Sequence, residues 1–130
     1  MTVVKSTLLS LVLSLVLGAS SAAWAAGGHD HGPKHGGQFV EVGAEQGVEM
    51  VTSADGITFH VTEKDKPADL TGGAFKAVVQ TGADVKMYPL TVEGNTLKAK
   101  LPKALSAGAK VALTGKDGHG HTLQARFVKK

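Results

Sequence analysis

The sequence predicts an all-β fold: an antiparallel, immunoglobulin-like β-sandwich of about seven to eight short strands. Three observations predict it. First, period-two alternation recurs. Ile57, Phe59 and Val61 alternate with Thr58, His60 and Thr62; Leu97, Ala99 and Leu101 with Lys98 and Lys100; Leu123, Ala125 and Phe127 with Gln124 and Arg126. A strand with one buried face has this period. Second, turn residues separate the runs, as at Asp55-Gly56, Gly72-Gly73 and Glu93-Gly94-Asn95. Third, the runs are short and nearly evenly spaced, with no long helical period between them.

In order, strands are expected near Phe39–Val42, Val48–Thr52, Ile57–Thr62, Ala74–Gln80, Val85–Leu90, Thr96–Leu101, Val111–Thr114 and Thr122–Val128. Lys64-Asp65-Lys66-Pro67 reads as a loop. The stretch from Leu101 to Gly108 is the one candidate for a helical turn. Glu41 and Glu49 are expected on exposed strand positions, and Met50 and Met87 as core filler.

Ahead of the strands, residues 1–25 read as a secretory signal peptide. Lys5 supplies the positive start, and Leu8 to Leu17 is apolar apart from Ser10 and Ser14. Ala23-Trp24-Ala25 gives the small-x-small cleavage pattern. The apolar run is shorter than the roughly 20 residues a spanning helix needs, so no membrane span is expected after cleavage. Export to a periplasm follows. Residues 26–37 form a Gly/His-rich segment expected to be flexible, and residues 38–130 the sandwich domain.

Composition narrows the function. The chain has no cysteine, which excludes disulfides, thiolate metal sites and thiol chemistry. Its formal net charge is +3, but Lys5 leaves with the signal and the remaining lysines form no basic run. Aromatic residues are few, at 5%, so no nucleic-acid surface is expected. No Gly-x-Ser-x-Gly, phosphate loop or His-Glu-x-x-His is present, and the chain is not expected to be an enzyme.

The histidines point to metal. His29, His31 and His35 are half of the chain's six histidines and share a glycine-rich stretch that cannot bury them. Neutral imidazole is the commonest metal ligand, and Asp30 could add an oxygen. If the chain began at Gly27, its amine, two amides and His29 would form a square-planar set suited to Cu(II) or Ni(II). A second group, His119 and His121, lies in the glycine-rich turn Gly115 to His121. On an extended segment these two share a face, roughly 6.5–7 Å apart along the backbone. His60, on the polar side of its strand, is the weaker candidate.

The run His35-Gly36-Gly37-Gln38-Phe39-Val40-Glu41-Val42 resembles the opening of small periplasmic heavy-metal-binding domains. Those occur alone or at the N-terminal side of adaptor subunits of metal-efflux pumps. The resemblance continues loosely through Val48 to Val51, Ile57 to Val61, Lys66-Pro67 and Ala125-Arg126-Phe127. It implies a β-sandwich and copper, zinc or related cations, with His35 as the position carried over most directly. Asp117-Gly118-His119 is similar to a segment of small periplasmic copper-resistance carriers, and His29 to their first histidine. The proline after that histidine and the methionine-rich loop of those carriers are missing here.

The expected function is therefore periplasmic binding of copper or zinc through His29, His31, His35, His119 and His121, for resistance, efflux or delivery, with a pump or other envelope protein as partner. The two groups would share one ion only if the N-terminal strand and the last hairpin reach the same end of the sandwich. The alternative is a non-metal adaptor module that docks within an envelope complex.

Overall fold

Residues 32–130 are described by a computed structural model; the stretch expected to be a signal peptide, His29 and His31 lie outside the described residues. The chain from Gln38 onward folds as nine antiparallel strands: β1 (Gln38–Val42), β2 (Gln46–Thr52), β3 (Gly56–Glu63), β4 (Lys66–Pro67), β5 (Ala74–Thr81), β6 (Asp84–Glu93), β7 (Thr96–Lys100), β8 (Lys110–Lys116) and β9 (Thr122–Val128). No helix occurs among the described residues. All eight expected strands are present, most of them longer by one to three residues.

The strands run β1-β2-β3-β7-β6-β5-β8-β9 across the sheet, with β4 beside β3. Three consecutive hairpin-linked strands, β5, β6 and β7, are flanked by β8 beside β5 and β3 beside β7, which is Greek-key order. Strand β6 belongs to both layers. It pairs with β5 from Asp84 to Leu90, then with β7 from Thr91 to Glu93.

The two outer strands, β1 and β9, meet at one end. The Gln38 carboxamide donates to the Val128 carbonyl at 2.7 Å and accepts from the Lys130 amide at 3.1 Å. One side chain thus stands in for a peptide unit and nearly closes the sheet on itself.

The alternating faces meet inside. Ile57, Phe59 and Val61 of β3 face Val111, Leu113, Leu123 and Phe127 of β8 and β9, all buried in one cluster. Phe59 is fully buried and its ring lies 5.8 Å from that of Phe127, tilted by 42°. It joins the two layers. Phe59→Ala is expected to cost about 3–5 kcal/mol, read from the denaturant midpoint. A loss under about 1 kcal/mol would mean that the layers are not packed through this ring.

Three expectations need correction. The 64–67 loop is a tight hairpin: Lys64 and Asp65 both take positive φ, 51° and 62°, and return the chain so that Lys66 pairs with Glu63. The stretch 101–108 makes bends and a turn, not a helical turn. Its helix-like leucine spacing has another cause: Leu101 is buried and Leu105 packs on the core from an irregular backbone. Met50 does fill the core at 2% exposure, but Met87 is 62% exposed, because its position on β6 faces outward.

Candidate metal site

Strands β2 and β3 place Glu49 and His60 opposite each other on the outer face of the sheet. Neighbours Val48 and Met50, Phe59 and Val61, point into the core, so alternation sends Glu49 and His60 outward. An outward carboxylate would ordinarily be solvated. Glu49 is instead only 3% exposed, because the segment before β1 folds over it. The expected exposed position is thereby corrected.

The backbone of that segment wraps the carboxylate. Oε1 accepts the Lys34 amide at 2.8 Å, Oε2 accepts the Gly37 amide at 2.8 Å, and the His35 amide reaches both oxygens at 3.1 and 2.9 Å. Converging backbone amides of this kind form an anion-binding concavity. The two glycines make it possible. Gly36 takes φ +75° with open space around it, and a Cβ on Gly37 would collide with the Met50 carbonyl oxygen. Burial pushes the Glu49 carboxyl pKa up, but the bonds from the Lys34 amide, the His35 ring, the Gly37 amide and the His35 amide outweigh it, holding the pKa down at about 2.

His35 completes the cradle. Its Nδ1 lies 3.0 Å from Glu49 Oε1. An ionised carboxylate only accepts, so Nδ1 carries the proton and donates. The Nε2 lone pair is left for another partner. A carboxylate behind a histidine in this way fixes the tautomer and raises basicity in metal sites. The His35 side chain is 49% exposed, and its ring stacks on His60 with centroids 3.7 Å apart and planes within 4°. Burial first, then the neighbouring His35 and Lys98, lower the pKa of His60, while Glu49 opposes them. The pair sits in an open cleft of about 400 Å³ that also touches Thr62, Asn95 and Thr96.

The second histidine group is separate. Asp117 at the β8–β9 turn accepts the amides of His119 at 2.9 Å and His121 at 2.8 Å through Oδ1. Its Oδ2 lies 3.2 Å from His121 Nδ1. These bonds, led by the His121 amide, lower the Asp117 pKa. The rings of His119 and His121 are 6.2 Å apart and tilted by 38°. His121 thus repeats the pairing of His35 with Glu49, in a more exposed setting.

The sequence expectation of a meeting point between the two groups is not met by His35. The N-terminal segment enters β1 beside Val128, whereas the hairpin lies at the opposite end of β9, roughly 20 Å away along a strand of this length. Among the described residues, no hydrogen bond, ion pair or ring contact joins His35 or His60 to His119 or His121. Nor do any three His, Cys, Asp or Glu side chains there stand ready to hold an ion.

Glu49 is the residue that sequence reasoning missed. A signal was present in the paired glycines after His35, whose bare amides suit an anion. Compared with protein families, curated proteins and solved structures, the chain finds no match.

Proposed function

We propose that this chain binds a divalent transition metal, copper or zinc, in the periplasm through its histidines, for resistance, efflux or delivery. The observation that carries the reading is His35: a carboxylate buried by the chain itself holds Nδ1 and leaves Nε2 open on a half-exposed ring. A solvated histidine without a role needs no such support. The resemblance at His35-Gly36-Gly37 agrees with it. His29 and His31 would join His35 along the N-terminal segment, and His119 with His121 would form a second site. A nitrogen-rich set without thiolates favours Cu(II) or Zn(II) over Cu(I).

Titration of the chain beginning at Ala26 with Cu(II) and Zn(II) tests this. Sub-micromolar binding, with stoichiometry reduced by removal of residues 26–35, is expected. Binding no tighter than that of free imidazole would end the metal reading.

A second reading, an adaptor module docking on an envelope protein, is favoured by the outer face of β5, β6, β8 and β9. Val85, Met87 and Val128 are 59%, 62% and 55% exposed there. This reading requires partner binding to survive the loss of residues 26–35.

A further inference from the structure

His60 stands on a strand paired on both sides, with β2 and with β7, so its backbone is fixed. Neither of its ring nitrogens has a hydrogen-bond partner among the described residues; its ring contact is the stack on His35. His35 has one nitrogen committed to Glu49 and one open. Two imidazoles with open nitrogens therefore lie face to face at 3.7 Å on the outer face of the sheet, beside an open cleft of about 400 Å³.

That spacing suits one ion. Metal–nitrogen bonds of about 2.0–2.1 Å at a tetrahedral angle put the two nitrogens about 3.3 Å apart. Parallel planes keep the lone pairs of the two rings in separate layers, so the stack must splay for both to converge on one ion. His35 can move: its ring is half exposed and its segment is held by bonds to one carboxylate. Ring stacking is a weak opponent of the splay beside the formation of two metal–nitrogen bonds.

We propose that His35 and His60 are the two nitrogen ligands that the described residues supply to a divalent transition-metal site in this cleft. The proposal rests on the metal reading above and deepens it. It places a ligand on the folded sheet, 25 residues beyond His35, and makes the metal a second tie between the segment before β1 and β3, beside the ring stack already there.

The test titrates Zn(II) into a chain carrying His29→Ala, His31→Ala, His119→Ala and His121→Ala, which leaves His35 and His60 as the histidines. One bound equivalent is expected, with the side-chain NMR signals of both residues shifting together. Adding His60→Phe keeps a flat ring on His35 and removes the nitrogens. Even partners outside the ligand shell are worth 10–100-fold in affinity, so loss of a ligand should weaken binding by about tenfold or more. Circular dichroism without metal checks that each variant folds, and the wild-type NMR titration needs no substitution.

Affinity unchanged within about twofold in His60→Phe, or Zn(II) that shifts His35 in the wild-type chain and leaves His60 in place, overturns the proposal and leaves the broader metal reading standing. No binding by the wild-type chain removes both.

Discussion

Glu49→Gln is expected to destabilise the folded chain by on the order of 3 kcal/mol at pH 7. The carboxylate accepts three backbone amides and the His35 ring. A carboxamide has no charge to offer them, and its NH2 group would face donors. The effect should depend on pH in a definite direction. The pKa is about 2 in the folded chain against an ordinary 4.5. A carboxylate depressed on folding contributes stability above its unfolded pKa and loses that contribution as pH falls through the folded one. The gap between wild type and variant should therefore be full above about pH 5, narrow below pH 4.5, and be nearly gone by pH 2. Denaturant midpoints along that range measure it. A gap that stays constant with pH would show that the variant fails through shape rather than charge. The same substitution should free His35 from Glu49 and loosen its stack on His60.

Gly37→Ala is expected to cost about 2–3 kcal/mol through overpacking, and Gly36→Ala only about 1 kcal/mol. The two glycines are adjacent yet answer to different constraints. A Cβ at position 37 would strike the Met50 carbonyl and come within 2.9 Å of Val51 Cγ2. The backbone it strikes belongs to β2, which is paired on both sides and has little room to yield. A Cβ at position 36 meets nothing within 4 Å, so its cost is the positive φ of 75° alone. Paired thermal or denaturant unfolding of the two variants decides the order. Equal losses, or a larger loss at Gly36, would mean that the segment does not lie against β2 as described. Both variants should also weaken the hold of Glu49 on His35, since the Gly37 amide is one of its donors.

The strands were legible because each carries its own evidence. Ile57 to Thr62 alternates strictly, Asp55-Gly56 marks a turn, and the last strand was placed to the residue. The failures share a different cause. Lys64-Asp65 lacks glycine and asparagine, so nothing local announced two successive positive φ values. Leu101 and Leu105 are spaced like a helix face, but each meets the core from an irregular backbone. Alternation correctly sent Glu49 outward; its burial depends on a segment that returns from outside the sheet. The His35–His60 stack has the same origin. It joins residues that are remote in sequence, and a pattern read over a few neighbours carries no information about such a contact. What was legible of the candidate site was its chemistry, since His35 and the glycines beside it stood out by type. Its geometry came only with the pairing of β2 and β3 and the path of the chain across them.

The closure through Gln38 has an engineering consequence. Since β1 and β9 meet at the same pole, where Gly32 and Pro33 line one cavity with Lys129 and Lys130, a short linker could join Lys130 to Gly32 and keep the His35 segment and the ladder in place. The sequence could then be reopened at the exposed Gly82 turn between β5 and β6, giving a circular permutant with the same strand neighbours. For the same reason the domain is suited to insertion into a surface loop of a host protein. Both junctions would then emerge side by side, and the His35 segment would be tethered at a chosen distance from the host.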